Sequence, residues 1–381
     1  MQVTGTGESN LLFDERPKNN KKDLYDAEEE LKSLTDALEK GAPLVTIVGL
    51  RRTGKTSILL TALNNIARPS IILDMRTLAS RPYASKRDLI QEAERAINEF
   101  YNLHLSLGKR LFRWLARIKG VEISKTGISI SWGGKQPVDL STLFEGLNAW
   151  AKHEKTTLII AFDEAQELKK IAGVDMEKII AHIYDYDHNL SIVLTGSAVG
   201  LLYDFVGCQN PKAPLYGRHI TEIRLRRLSA ENSREFLLRG FKQAKIKNNE
   251  EIIQTALKKL DGVIGWLTLF GTASVNEGTM SEKTIDQTVQ QGKLLARQEF
   301  ENFLKGREVA RQRYETIIRH LAAVSTSSWS TIKRAVEATE GKTVNDKNIT
   351  DLISNLVKAG FVEKENELYH LSDQMLSESF K

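Results

Sequence analysis

Leu44-Val45-Thr46-Ile47-Val48-Gly49-Leu50-Arg51-Arg52-Thr53-Gly54-Lys55-Thr56-Ser57 decides how the rest of the chain is read. Its first five residues, apolar or β-branched, have the composition of a short strand buried on both faces. The next eight fit the spacing G-x-x-x-x-G-K-[ST], a loop that cradles phosphate and opens a helix. Gly49 and Gly54 let backbone amides approach an anion with no side chain in the way. The helix that follows turns its positive end toward that anion. Lys55 supplies a cation between the β- and γ-phosphates of a nucleotide, and the Thr56 hydroxyl is placed to reach Mg²⁺. Leu50, Arg51, Arg52, Thr53 and Ser57 complete the same candidate nucleotide-binding segment.

Outward from this stretch the pattern alternates. Upstream, Leu31, Leu34 and Leu38 recur at helical spacing until Gly41-Ala42-Pro43 stops them. Downstream, residues 56–67, 89–100 and 176–184 read as helices, and 70–74, 156–162 and 191–194 as buried strands. Strands alternating with helices predict an α/β fold with a doubly wound parallel sheet. Leu158-Ile159-Ile160-Ala161-Phe162-Asp163-Glu164 is an apolar strand ending in two carboxylates, at the strand end where ligands gather in such sheets. Asp163 is placed to hold Mg²⁺, directly or through water, and Glu164 to orient or deprotonate an attacking water.

Beyond Arg227 no buried strand follows for a long way, and helices run through Leu304, the first capped by Ser229. From about Arg311, three helices precede a hairpin expected to turn near Glu365-Asn366, the outline of a winged helix. The expected organisation is a core over residues 1–227, a helical lid over 228–305 and a winged-helix domain over 306–381. A length of 381 residues suits two or three domains at roughly 150 residues each. With 41% hydrophobic and 27% charged residues the chain is globular. One cysteine, Cys208, excludes an internal disulfide and a cysteine zinc site. The N-terminus has no basic and apolar leader pattern, and the most apolar stretch, 192–206, is polar-interrupted and short for a bilayer. The expectation is a soluble, cytoplasmic protein with no membrane partner.

The net charge of +5 tolerates a polyanion without demanding one. Residues 101–135 concentrate it, with Lys109, Arg110, Arg113, Arg117, Lys119, Lys125 and Lys135 against Glu122 alone. Within it Lys109–Lys119 is a basic amphipathic helix, suited to nucleic acid, an anionic membrane or an acidic partner, and it reads first as a solvated face on a helix packed against the core. The winged-helix segment, 311–381, has ten basic and ten acidic residues, and its wing carries Glu363, Glu365 and Glu367. Acidic side chains there repel phosphates, so a protein or intramolecular contact is favoured over DNA.

The loop Gly49–Ser57 is followed by Asp163-Glu164-Ala165-Gln166-Glu167-Leu168, then Leu194-Thr195-Gly196-Ser197 and Leu215-Tyr216-Gly217-Arg218. Together they resemble the archaeal ATPase family of the STAND class, P-loop ATPases related to AAA+ and origin-recognition ATPases. The resemblance covers about residues 10–275. It implies that ATP and ADP bind with Mg²⁺, and that Thr195 and Ser197 occupy the sensor position between the P-loop and acidic strands. It implies that Arg218 faces phosphates in its own or a neighbouring site; the plainer reading is a surface arginine on a strand that also carries Arg224, Arg226 and Arg227. It further implies that the arm around Phe13, Arg16 and Pro17 covers the adenine. Two departures stand out: Ala27-Glu28 replaces an Arg-Glu pair, and Gly262-Val263-Ile264-Gly265 lacks the lid proline, expected at Ile264. The implied function is a slow or partner-stimulated ATPase acting as a switch. Lys55, Glu164, Thr195 and Arg218 would carry catalysis, and lid and winged helix would report nucleotide state to a protein partner. The alternative is a DNA-binding ATPase of initiator or mobile-element type.

Overall fold

The computed structural model describes residues 12–79, 81, 83–118, 121–123, 130, 131, 140–207 and 210–381. Cys208, Lys119, Lys125 and Lys135 lie outside them. The chain forms two compact units: Glu29–Gly49 with Ala62–Arg224, and the described residues up to Glu28 with Leu50–Thr61 and Leu225–Lys381.

The first unit is built on a parallel sheet. Helix α1 (Glu28–Glu39) buries Leu31, Leu34 and Leu38, the three leucines of the helical repeat. β1 (Leu44–Val48) follows and is buried at every position. The chain then runs through the phosphate loop into α2 (Lys55–Asn65) and returns as β2 (Ser70–Asp74). Helices α3 (Lys86–Leu103) and α4 (Leu105–Leu115) come next, then α5 (Leu140–His153). α3 starts on a reciprocal capping box between Ser85 and Asp88. β3 (Leu158–Asp163), α6 (Met176–Tyr186), β4 (Leu190–Gly196), α7 (Val199–Val206) and β5 (Thr221–Arg224) complete the unit.

The strand order is β2-β3-β4-β1-β5, and every pairing is parallel. β1, β3 and β4 are wholly buried, which explains why they read as unbroken apolar runs rather than as alternating ones. The register sets Asp74 beside Asp163 and Val48 beside Gly196. The carboxyl ends of four neighbouring strands thus meet on one edge. The basic segment's described helix, α4, buries Leu111, Phe112 and Leu115. It leaves Arg113 outward, while Arg110 pairs with Glu154 and Arg117 lies over Trp114. This is the solvated face expected of it.

The second unit is mostly helical. α8 (Ala230–Gln243) begins at Ser229, whose side chain accepts the Asn232 amide as the sequence predicts. α9 (Glu250–Leu260), α10 (Ile264–Glu277) and the long α11 (Glu282–Leu304) follow. Then come α12 (Arg311–Val324), β6 (Thr326–Ser328), α13 (Trp329–Glu340), α14 (Asp346–Lys358), β7 (Val362–Glu365), β8 (Leu368–Leu371) and α15 (Gln374–Glu378). This is a C-terminal winged helix. The hairpin turns at Asn366-Glu367, one residue later than expected, and both residues have positive φ as a type I′ turn requires. β6 adds an edge strand in the order β6-β8-β7. Aromatic side chains join α11 to the winged-helix domain: Phe300 packs edge-on against Phe361 and Phe380, and Phe303 against Tyr314 and Phe361. No helix among the described residues is long and apolar enough to cross a membrane.

Candidate functional site

The sheet edge carries a connected acidic cluster. Asp163, the last residue of β3, is 2% exposed. The Thr195 hydroxyl, on the neighbouring β4, donates to Asp163 Oδ1 at 2.5 Å and accepts the Glu164 amide at 3.0 Å. One side chain therefore ties both carboxylate-bearing residues to the adjacent strand. Glu164 itself has φ 56° and ψ 50°, a left-handed conformation uncommon for a residue with a Cβ. Its Oε2 accepts from Ser197 Oγ at 2.6 Å, from Gln166 Nε2 at 2.6 Å and from the Ser197 amide at 3.3 Å.

A cation stands beside these acids that sequence reasoning missed. Arg76, just after β2, grips Asp74 with both Nε, at 2.7 Å, and Nη2, at 2.6 Å, and its Nε lies 3.8 Å from Asp163 Oδ2. Burial pushes the Asp74 carboxyl up, but the Arg76 guanidinium outweighs it and holds the group below its ordinary range. Arg76 in turn is held more firmly protonated, chiefly by Asp74. The available signal was a charged residue ending a buried strand, Leu73-Asp74-Met75-Arg76, at the same edge as Asp163.

From Leu50 onward the phosphate loop belongs to the helical unit. Gly54 has φ 93°, and the place a Cβ would occupy is open, with no atom within 4 Å. The position needs glycine for its backbone and leaves room for a group to approach. Lys55 is buried, and its Nζ donates to the Leu50 carbonyl at 2.7 Å. Thr53 Oγ1 caps the same carbonyl at 2.8 Å. Ser57 Oγ accepts the Lys18 amide at 3.0 Å and so fastens the N-terminal arm to α2.

The two arginines of the loop reach away from it. Arg52 Nη2 lies 2.6 Å from Glu299 Oε1, and Arg51 Nε 3.3 Å from Glu299 Oε2. Arg52 also stacks over Trp266 at 4.1 Å, and Arg51 over Phe361 at 4.7 Å while donating to the Ala359 carbonyl. The Gly265 amide donates to the Arg52 carbonyl at 3.0 Å. A Cβ on Gly265 would come within 2.6 Å of Arg52 Cβ, so this close approach requires glycine. Here lies the segment that lacks the expected proline: Ile264 is the first residue of α10, a position where proline is welcome but not needed to start a helix. Asp373 is half-buried beside the same cluster, accepts from Trp266 Nε1 at 3.2 Å, and desolvation of its carboxyl pushes the pKa up.

The remaining expected residues sit elsewhere. The Phe13 ring is buried against α8 and α10, edge-on to Phe236 and Phe241, and fills space where a Cβ on Gly240 or Gly271 would stand. A ring enclosed in this way anchors the arm and offers no open face to a base. Arg16 is largely exposed and paired with Asp14. Arg218 is not on a strand: it precedes β5 and is held by Asp185 through Nε at 2.9 Å and Nη2 at 2.5 Å. Asp185 lies in the last turn of α6, just ahead of β4, so this pair sits toward the amino edge of the sheet, whereas Asp163 and Thr195 lie at the carboxyl edge.

A G-x-x-x-x-G-K-[ST] motif that follows an interior strand of a parallel sheet, whose other strands end in acidic and polar residues, defines a P-loop NTPase. More particularly, the chain belongs to the family of ATPase domains found predominantly in Archaea, whose sequence pattern matches residues 24–269. Residues 308–372 match the C-terminal winged helix-turn-helix domain of MCM proteins. The Walker-type ATPase PabY2304 of Pyrococcus abyssi is 31% identical, with 97% of this chain and 99% of that one covered and a TM-score of 0.78. The Aeropyrum pernix ORC2 protein, solved as ADPNP and ADP complexes, shares the fold at 14% identity, covering 97% and 96% of the two chains with a TM-score of 0.58. No curated protein matches the sequence.

Proposed function

We propose that this protein is an ATP-hydrolysing switch of the STAND class, in which nucleotide bound at Gly49–Ser57 sets how a helical lid and the winged helix are held. The observation that carries the reading is the pair of loop arginines. Arg51 and Arg52 stand inside the phosphate-binding motif, yet their side chains end on α11, on Trp266 of α10 and on the winged-helix residues Ala359 and Phe361. A loop that changes shape when it closes on phosphates pulls on those contacts directly. ATP and ADP then differ in the placement they favour, because only ATP offers a γ-phosphate to bind.

The residues fit the nucleotide and its ion. Gly54 leaves the loop open to a phosphate, Lys55 supplies the cation, and Thr56 and Asp163 are oxygen donors suited to Mg²⁺. Mg²⁺, bound with ATP, neutralises charge on the phosphates. In hydrolysis, the oxygen of a water bonds to the γ-phosphorus and the bond to the β–γ bridging oxygen breaks. Glu164 takes the water's proton, and Thr195 keeps Glu164 and Asp163 in place. The ADPNP and ADP complexes of the ORC2 relative lend support at the level of the fold.

The match to an MCM winged helix favours one second reading, a DNA-binding ATPase. Against it stands the wing, where Glu363 faces Arg227 and Glu367 faces Lys364, so its charges are paired or acidic. The deciding experiment follows phosphate release from wild type and Glu164→Gln, with and without duplex DNA at two salt concentrations. The switch reading expects turnover in wild type alone and no DNA stimulation. Turnover that rises with DNA and falls steeply with salt overturns it in favour of the second.

A further inference from the structure

We infer that Gln166 is a positioning residue for Glu164, seated by the missing side chain of Gly196. The inference rests on the hydrolytic reading above and assigns a part of that chemistry to a residue it does not use.

Gln166 is 8% exposed, in the turn that follows β3. Its Nε2 donates to Glu164 Oε2 at 2.6 Å. Its other amide atom, Oε1, is buried with no hydrogen-bond partner. A buried amide satisfied at one end only is a poor choice for stability, since an apolar side chain of the same shape would fill the space without that penalty. What the amide does provide is a charge-assisted donor to the carboxylate expected to meet the water.

The surroundings are arranged around that seat. Gly196, the last residue of β4, lies beside it: a Cβ there would come within 2.9 Å of Gln166 Oε1 and of Leu202 Cδ2. Ser197, the next residue, places its hydroxyl on the same carboxylate oxygen at 2.6 Å. Two side-chain donors meeting on Oε2 fix the rotation of the carboxyl group about its stem. The left-handed backbone of Glu164 persists only where neighbours over-determine it, and Thr195, Ser197 and Gln166 do so here. A glutamate side chain otherwise has several rotatable bonds. A displacement of about 1 Å at a reacting group is worth up to about a hundredfold in rate.

The test compares Gln166→Met, which keeps length and removes the donor, with Gly196→Ala, which keeps the donor and obstructs its seat. Both are measured for ATP turnover, for binding of a fluorescent ADP and for melting temperature. The inference expects kcat to fall at least about tenfold in Gln166→Met, with ADP affinity within about threefold of wild type and an unchanged melting temperature. It expects Gly196→Ala to lower kcat likewise, and the double variant to be no slower than the worse single one, because both act on one contact. Unchanged kcat in Gln166→Met overturns it, as does a fall in kcat matched by an equal loss of ADP affinity or of folded protein. A wild type that binds ATP without turning it over overturns the hydrolytic reading and this inference together.

Discussion

Removing the Glu299 carboxylate should loosen the winged helix. In Glu299→Ala, Arg52 loses a 2.6 Å partner and Arg51 a 3.3 Å partner. The side chains involved are 20–29% exposed, neither free in water nor fully buried. A fully exposed pair is worth about 0.2–1 kcal/mol, whereas breaking a buried one costs about 3–5 kcal/mol. Arg52 keeps Trp266, and Arg51 keeps Phe361 and the Ala359 carbonyl, so neither guanidinium is stranded. The intermediate burial and these surviving contacts place the loss at about 2 kcal/mol. That is a factor of about 30 in the population of the released form. Hydrogen–deuterium exchange reads this directly at the amides of α14 and of the β7–β8 hairpin. Those amides should exchange up to about 30-fold faster in Glu299→Ala, and release of a fluorescent ADP should accelerate in the same variant. Exchange within about twofold of wild type at these amides would refute the reasoning, because the contact would then hold nothing together.

Three further outcomes follow from particular contacts. Thr195→Val keeps shape but removes a hydroxyl that both donates to Asp163 and accepts from Glu164; turnover should fall at least about tenfold, and wild-type rates would contradict the bridging role. Phe13→Ala opens space in the helical unit and should destabilise it by about 3 kcal/mol in chemical denaturation, whereas a change under about 1 kcal/mol would show that the arm is not anchored there. Asp373→Asn tests the half-buried carboxyl, whose amide counterpart keeps the carbonyl that accepts from Trp266 and Met375. Because burial raises the Asp373 pKa above its ordinary 3.8, the folded state holds the proton more tightly than the unfolded state. Its stabilising contribution is full below that ordinary value and is lost as pH rises through the folded value. Melting temperatures should therefore shift in favour of the asparagine variant as pH rises above that ordinary value, and a pH-independent difference would contradict the assignment.

What could be read from sequence was local. Buried strands show as unbroken apolar runs, so β1, β3 and β4 were legible within a residue or two. The phosphate loop was legible because its geometry constrains neighbours in sequence. β5 was harder, since only Ile223 of its four residues is buried. The position of Phe13 depends on glycines more than two hundred residues away, and no local pattern announces it. The same holds for Glu299, an ordinary helix-surface residue in sequence that gains its meaning from Arg51 and Arg52. Gln166 was visible only as a letter after the acidic pair; its contact depends on the left-handed turn at Glu164 and on Gly196 across the sheet edge.

The central claim is that Gly49–Ser57 binds nucleotide and that Lys55 holds its phosphates. Nucleotide extracted from the purified protein, measured beside Lys55→Ala and followed by ATP turnover of both, tests it most directly. ADP or ATP is expected in the wild type, little or none in the variant, and phosphate release from the wild type alone. A wild type that binds no nucleotide at millimolar Mg-ATP, or a variant that binds and hydrolyses it equally well, would contradict it.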